Sequence, residues 1–581
     1  MRFLRMLTNS LLAGALGAAY LAIVVLQLNP HVPLASVTPW WWLGTIGLLY
    51  GVHIAVVCYV MIVAREFFAM DIMSPGWASV RVLAWLAAAL AAGAAVLMWF
   101  YVRGFEAALG AEAARRMTAG AIATSASAIV LFLIAVLHYS FGRRGGRVGA
   151  ALFALAVVAS LILPIAARGA GGGESASAVA WISKPLDGPA APAGPRVTLI
   201  ALDGGSLAYI LPRAAEGRLP NFSRMIEGGA AVDLATIRPT QPDPVWSTVA
   251  TGIHPSRNGV RSAARFYAMH DTRGIDLLPD YCFSHALVRL GFVRDEPRRS
   301  AEWEARPIWG ILSDAGLSAG VVRWPLTHPA QPARGFIVSD RFHELIGSIA
   351  EFDRTAYPAD ILTSLQAAPA EAFAPIDAGA AGAFPPASPE ASALRRDLMY
   401  SRIARALRVE REPRFLSLRY EGLDTVGHYY LRYTQPPTPR GVPESERRRV
   451  VQVVERYYAF IDRELGVLID DMAPGDLLVV VSGFGMHRLN PAKKALARAL
   501  GDPDFSGTHD RAPDGFLLAL GAAVEPGRHR RGSIADITPT LLYFFGLPVA
   551  RDMDGSARAD LFTPAFTAER PITFIPSYTG R

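Results

Sequence analysis

Five long apolar runs without charge dominate the first 168 residues of this 581-residue chain. About 20 consecutive apolar residues are needed for an α-helix to cross the hydrocarbon core of a bilayer. The runs therefore predict five membrane-spanning helices, at about 7–28, 40–63, 82–102, 118–141 and 148–167. The first run is longer than the apolar part of a signal peptide, and four more follow it, so we expect a retained anchor over residues 1–168.

The arginines of this segment predict its orientation. With the N-terminus in the cytoplasm, seven arginines fall on the inner side and three in the outer loop between the third and fourth spans, as the positive-inside rule requires. The inner set is Arg2, Arg5, Arg65, Arg81, Arg143, Arg144 and Arg147, and the outer set is Arg103, Arg115 and Arg116. Five crossings then leave the C-terminal part of the chain in a periplasmic or extracellular space.

The same arginines explain the net charge of +7. Residues 1–168 contain eleven arginines, no lysine and four acids, whereas residues 169–581 contain 46 basic and 46 acidic side chains. A nucleic-acid-binding protein needs its positive charge on a soluble surface, so the chain is not expected to bind nucleic acid. We expect membrane lipids as partners; the sequence does not indicate an oligomeric state.

The spans themselves carry little chemistry. His53 and His138 are their ionisable side chains, and no paired acid or proton-relay pattern accompanies them. Small residues such as Gly14 and Gly17 are typical of helices that pack closely in lipid. We therefore expect an anchor, and a transporter or channel is the least favoured interpretation.

The remainder is predicted to be an α/β domain. Residues 169–195 are rich in Gly, Ala, Ser and Pro and predict a flexible linker. From residue 196 to 581, short apolar runs alternate with helical patterns, which is typical of an α/β/α sandwich with a mostly parallel sheet. The predicted strands cover 197–202, 320–323, 414–420, 477–482 and 516–520. Two stretches break the alternation, and we interpret 256–305 and 325–400 as insertions or a cap over the strand ends.

Acids and histidines follow or precede several of these strands. Asp203 follows the first strand, Asp424 and His428 follow the strand at 414–420, and His509 precedes the strand at 516–520. One carboxylate and two imidazoles form a three-ligand site suited to zinc with an open fourth position. Each residue alone is equally typical of a helix cap or of a packed histidine. Their joint placement at strand ends favours a metal site.

The domain resembles the type I phosphodiesterase/nucleotide pyrophosphatase branch of the alkaline phosphatase superfamily. The resemblance runs from about residue 196 to residue 562. The segments that carry it are Leu199–Gly204, Gly217–Phe222, Pro239–Gly252, Gly422–His428, Ser482–Met486, Gly507–Gly515, Ile534–Leu542 and Asp552–Gly555. It implies an alkaline-phosphatase-like fold and two metal ions, usually zinc, about 4 Å apart, with a Thr or Ser nucleophile.

When the family's metal ligands are matched to this chain, the ligand set of one metal is complete and that of the other is incomplete. Asp424, His428 and His509 match the ligands of the first metal. The second should be held by Asp203 and by an Asp-His pair, which Gly483 and Phe484 replace here. We therefore expect one zinc ion, with the second site degenerate.

The nucleophile position falls on Pro242, which has no hydroxyl group. Thr240 and Asp243 lie close to it in sequence, but neither matches the position. The catalytic residue is thus left open by the sequence.

Two functional hypotheses follow. The first is a membrane-anchored, metal-dependent phosphodiesterase or phosphotransferase that acts on or binds a phosphoester. The second is an inactive homologue that binds a phosphate-containing lipid headgroup, an envelope glycan or polymer, or a protein. The order of membrane spans followed by an exported domain is similar to that of bacterial lipid headgroup phosphotransferases.

Overall fold

The structure is a computed structural model that describes residues 1–68, 77–140, 146–172, 184, 186–187, 193–277, 287–346, 351–367, 388–434, 444–499, 505–509 and 512–579. The chain divides into two compact units. The helical unit comprises Met1–Ser177 and Ala264–Pro297, and the sheet unit comprises Ala178–Ala263 and Arg298–Arg581. Most of the predicted linker, part of each predicted insertion and Cys282 lie outside the described residues.

Among the described residues, five helices of the helical unit are long and apolar enough to cross a membrane, in agreement with the five predicted spans. The second crossing consists of two helices joined by a π-helical turn at Gly47–Gly51. The helices are α1 (Arg2–Leu28), α2 (Thr38–Ile46), α3 (Val52–Phe68), α4 (Val80–Gly104), α5 (Ala111–Ser140) and α6 (Gly146–Arg168), with a short helical turn at Glu106–Leu109.

Small residues bring α1 against the second crossing. A Cβ atom at Gly14 would lie 2.4 Å from the carbonyl oxygen of Gly51, so the two backbones are in direct contact. One at Gly17 would lie 2.7 Å from a methyl group of Ile54. Larger side chains would push the helices apart, as is usual for interfaces between helices in lipid.

A buried arginine closes one end of this bundle. Arg168, at the end of α6, donates to the carbonyl oxygens of Leu26, Asn29 and Val32 at 2.6–2.7 Å. The last carbonyls of a helix lack partners within the helix, and the C-terminal end of its dipole attracts a cation. Arg168 therefore satisfies the end of α1 and ties the first helix to the last.

A β-hairpin from the distant segment Ala264–Pro297 belongs to the helical unit. Its strands, β3 (Ala264–Ala268) and β4 (Val293–Pro297), pair antiparallel. Its buried apolar residues form one cluster with residues of α1 and α2, and the Asn29 carboxamide exchanges two 2.8 Å hydrogen bonds with the backbone of Asp276. The middle of the insertion predicted at 256–305 thus folds with the helices. Its role as a cap over the strand ends stays a prediction.

The strands of the main sheet are β1 (Val197–Leu202), β2 (Ala230–Ala235), β5 (Ala319–Val322), β6 (Gly335–Val338), β7 (Ala356–Tyr357), β8 (Phe415–Tyr420), β9 (Leu477–Ser482), β12 (Gly515–Leu520), β13 (Gly527–Arg528) and β14 (Gly532–Ser533). Within the described residues they form a ten-stranded, mostly parallel sheet, which confirms the predicted fold class. The strand order is β13-β2-β12-β9-β1-β8-β5-β6-β7, with β14 also paired to β2. Strands β7 and β12 run antiparallel to their neighbours.

Helices connect these strands. They are α7 (Leu207–Ala215), α8 (Pro220–Gly228), α9 (Pro242–Thr251), α10 (Ile308–Asp314), α11 (Asp360–Ala367), α12 (Pro389–Arg411), α13 (Gly422–Thr434), α14 (Glu444–Asp470), α15 (Pro491–Ala499), α16 (Ile537–Phe544) and α17 (Pro564–Glu569). Two small sheets pair β10 (His487–Arg488) with β11 (Gly507–Thr508) and β15 (Val549–Ala550) with β16 (Phe574–Ile575). The central strands β1, β8 and β9 are almost entirely buried, as continuous apolar runs require.

A buried carboxylate fixes the start of α13, the helix that carries two of the predicted ligands. Asp397 on α12 is fully buried and pairs with the equally buried Arg323, which follows β5. It also accepts hydrogen bonds from the Tyr457 hydroxyl at 2.7 Å and from the backbone N–H of Gly422 at 3.1 Å. One side chain thus connects a strand end and three helices.

We predict that Asp397→Asn lowers the free energy of unfolding of the full chain by about 3 kcal/mol, because the buried Arg323 loses one of its two counter-charges and keeps only Glu421. The matched control is Asp470→Asn. That carboxylate also pairs with an arginine, but its side chain is 70% exposed, so a change of at most about 1 kcal/mol is expected. Denaturant midpoints of the two purified variants provide the measurement, and equal shifts would contradict the role given to Asp397.

Candidate metal and phosphoester site

The predicted site residues gather at one edge of the central sheet. Asp203 directly follows β1, and α13, which follows β8, carries Asp424 and His428. His509 lies just before the antiparallel strand β12, so it approaches the same edge. In parallel α/β sheets the carboxyl ends of the strands form the usual ligand-binding edge.

Three of the four predicted ligands form a compact group. One ligand atom from each of Asp424, His428 and His509 lies within 4.8 Å of the others. Asp424 and His428 are one helical turn apart, so they share a face of α13, and Oδ2 of Asp424 is 3.2 Å from Nε2 of His428. The imidazole rings of His428 and His509 are 5.2 Å apart, centre to centre.

Backbone carbonyls orient both imidazoles. Nδ1 of His428 lies 2.9 Å from the carbonyl oxygen of Gly507, and Nδ1 of His509 lies 2.7 Å from that of Thr240. Since a carbonyl only accepts, Nδ1 carries the proton in each ring, and Nε2 of the neutral ring retains its lone pair. This is the usual arrangement of metal-binding histidines.

The protonation states also suit a cation. Burial alone would raise the pKa of Asp424, but His428 and His509 outweigh it and lower the pKa to about 2. Burial lowers the pKa of His509, so this ring is neutral at pH 7. In addition, Oδ1 of Asp424 is buried and has no hydrogen-bond partner among the described residues. An anionic carboxylate with an unpaired oxygen beside the neutral His509 ring fits a bound divalent metal ion.

Asp203 does not belong to this group. It is fully buried, and its two oxygens accept from Nε of Arg419 at 3.1 Å and from Nη2 of Arg419. The indole N–H of Trp246 donates to Oδ1 at 2.6 Å. Arg419 therefore hydrogen-bonds both oxygens of the carboxylate that the sequence predicts as a metal ligand.

Apolar packing fills the two positions that lack the expected Asp-His pair. A Cβ atom at Gly483 would lie 2.3 Å from Cγ1 of Val245, so a larger residue does not fit there without rearrangement. Phe484 is fully buried, and its ring centre is 5.3 Å from that of His509. Both positions are integrated into the core beside the site.

The segment that should bear the nucleophile offers no accessible hydroxyl group. Pro242 is the first residue of α9. The Thr240 hydroxyl is buried and donates to the carbonyl oxygen of Ile237 at 2.9 Å. Thr240 thus contributes through its backbone, which orients His509, and its hydroxyl is committed elsewhere.

Asp243, in the first turn of α9, is the notable acid of this segment. It is only partly exposed, and it makes no hydrogen bond or ion pair with the residues that the structure describes. Burial raises its pKa to about 7, with Arg419 opposing and Asp340 and Asp203 adding to the rise. A carboxyl group with this pKa exchanges its proton near neutral pH.

Sequence reasoning missed Arg419 altogether. An arginine inside the apolar run Phe415–Tyr420 is the one signal that points to it, because a buried strand rarely carries an unpaired charge. Burial would lower its pKa, but Asp203 and Glu421 raise it above its ordinary value, so the guanidinium stays charged. Glu421 itself pairs with Arg323 at 2.8 Å.

A family model and several solved structures match this chain. The family model for type I phosphodiesterase/nucleotide pyrophosphatase matches residues 197–525, more than half of the chain. The structure of murine ectonucleotide pyrophosphatase/phosphodiesterase 5 is 15% identical over 63% of this chain and 100% of its own, with a TM-score of 0.37. The structure of the human protein is also 15% identical over 63% of this chain and 100% of its own, with a TM-score of 0.38. No curated protein matches. The chain belongs to the type I phosphodiesterase/nucleotide pyrophosphatase family.

Proposed function

We propose that this protein is a membrane-anchored phosphodiesterase-type protein that acts on a phosphoester outside the cytoplasm with a single metal ion. The supporting observation is the Asp424, His428 and His509 group, with its orphaned carboxylate oxygen, at the strand ends of a phosphodiesterase-family domain. Two imidazoles and one carboxylate favour zinc.

The three side chains would hold the ion, and the carbonyls of Gly507 and Thr240 would keep both imidazoles aimed at it. A bound divalent ion supplies a Lewis acid for a phosphoryl oxygen. Because Pro242 and Thr240 provide no free hydroxyl, the reaction proceeds by attack of water and forms no ester with a Ser or Thr of this chain. This separates the proposed reaction from the covalent route that the resemblance implies.

Asp243 is the proposed proton acceptor for that water. It stands one residue after Pro242, it has no partner among the described residues, and burial raises its pKa to about 7. A general base works best when its pKa lies near the working pH. The carboxylate becomes ionised, and so able to accept a proton, as the pH rises through about 7.

One observation favours a second function, that of a binding protein without turnover. The family's nucleophile position is a proline, and the neighbouring threonine hydroxyl is buried. In that case the metal centre would retain a phosphate-containing headgroup or envelope polymer. Metal analysis together with a hydrolysis assay separates the two functions, because a binding protein keeps its metal and its phosphate affinity but hydrolyses nothing.

We predict one zinc ion per purified chain by elemental analysis. His428→Ala and His509→Ala should each remove it, since two remaining ligands hold zinc weakly. The control is His529→Ala, whose ring is also partly buried and hydrogen-bonded to a backbone carbonyl, that of Glu525, but lies outside the group. Unchanged metal content in both test variants would refute the three-ligand assignment.

We predict chelator-sensitive hydrolysis of bis(p-nitrophenyl) phosphate by the full chain in detergent. Asp243→Asn should lower kcat by about 10²–10⁴ and remove an ascending pH limb near pH 7, because the amide cannot accept a proton. Metal content should remain unchanged in this variant. An unaltered pH profile would exclude Asp243 as the base, and absence of turnover in a metal-loaded wild type would favour the binding protein.

We predict that the sheet unit lies outside the cytoplasm. In a background with Cys58→Ser and Cys282→Ser, a cysteine at the exposed Ala565 should react with a membrane-impermeant maleimide in intact cells. A cysteine at the exposed Ala78, on the proposed cytoplasmic side, should react only after permeabilisation. The reverse pattern would overturn the orientation.

A further inference from the structure

The carboxylate of Asp203 is already saturated with hydrogen bonds. Arg419 donates to both oxygens through Nε and Nη2, and Trp246 donates to Oδ1. A metal ion would have to compete for the same lone pairs and would lie beside a guanidinium of the same charge sign. The pair is buried, since Asp203 is 0% and Arg419 is 7% exposed, so solvent screens this repulsion poorly.

The other positions expected to hold a second metal do not fit one either. Gly483 has no ligand atom, and Val245 occupies the space that a side chain would need. Phe484 fills its position with a fully buried ring. Apolar packing thus fills the space of the two missing ligands at Gly483 and Phe484, and Arg419 neutralises the charge of the remaining ligand, Asp203. All three features act against binding of a second metal ion.

We propose that the guanidinium of Arg419 replaces the second metal ion and binds a phosphoryl oxygen of the substrate. Arg419 is the penultimate residue of β8, and its pairing with Asp203 fixes its position at the sheet edge. Its Nη1 makes no hydrogen bond to the described residues, so one end of the planar donor group is available. Arginine donors suit phosphoryl oxygens in both geometry and charge.

The Arg419–Asp203 pair lies beside the three-ligand group, since a Cβ atom at Gly204, the residue after Asp203, would be 3.3 Å from Cα of Asp424. Around the guanidinium, Asp203, Glu421 and Asp243 all act on Arg419. These acids outweigh the single guanidinium, so Arg419 alone would attract a phosphate only weakly. Phosphate binding should therefore need the metal ion as well, and in this respect the inference rests on the proposed function.

The test compares binding of inorganic phosphate to full-length chains loaded with zinc in detergent. Asp203→Asn/Arg419→Gln replaces the ion pair by two neutral amides and leaves no buried charge unpaired. We expect it to retain one zinc ion per chain and to bind phosphate at least about tenfold more weakly, the usual effect of losing a charge-assisted hydrogen bond. Arg419→Lys keeps the charge but not the planar donor group. Its phosphate affinity should lie between those of the wild type and the double variant.

The matched control is Asp314→Asn/Arg306→Gln, which removes another largely buried Arg–Asp pair, with a 2.6 Å contact, away from the site. Its phosphate affinity should equal that of the wild type. A phosphate dissociation constant within twofold of wild type in the Arg419 double variant would overturn the inference. So would two zinc ions per wild-type chain, a measurement that needs no variant to fold.

The outcomes also separate this inference from the proposed function. A wild-type chain that binds no metal contradicts the proposed function. A chain whose phosphate binding is lost with chelator but is unaffected by substitution of Arg419 contradicts only the role of the arginine.

Discussion

The ion pair between Arg419 and Asp203 is the interaction on which the candidate site depends. Two charges in the protein interior are tolerable only when their desolvation is offset by close pairing and by further hydrogen bonds. Here the guanidinium contacts both carboxylate oxygens, and an indole N–H adds a third donor. Neither partner can be removed alone without leaving a buried charge. The pair also fixes the electrostatic balance at the sheet edge beside the three-ligand group, where a Cβ atom at Gly204 would lie 3.3 Å from Cα of Asp424.

Features encoded by local sequence were predictable. The membrane spans follow from runs of apolar residues, and the strand Val197–Leu202 is predicted with its observed bounds because a short apolar run ends in Asp-Gly. Proximity of Asp424 and His428 follows from the helical period. Approach of His509 follows from its position beside an adjacent strand, so the composition of the three-ligand group could be predicted although its geometry could not.

The pairing of Asp203 with Arg419 could not be predicted from local sequence, since it depends on the register of two strands. Strands β1 and β8 are parallel neighbours, and Ala201 faces Arg419 across the ladder, which brings Arg419 beside the residue that follows β1. More than 200 residues separate the two in sequence, and no periodicity encodes their meeting. The hairpin at 264–297 escaped prediction for a similar reason. Its alternating pattern is typical of any strand with one buried face, and the partner of that face lies in helices near the N-terminus.

That hairpin has a consequence for how the protein can be divided. The polypeptide leaves the sheet unit at Ala263, contributes a hairpin to the helical unit and returns at Arg298. A soluble fragment that begins after the linker would keep the hairpin but lose the helices that cover Phe266, Leu277, Leu287 and Val293. An apolar patch uncovered in this way favours aggregation or adhesion to membranes. Anchor and sheet unit are therefore interleaved along the chain, and the linker is not a natural place to cut it.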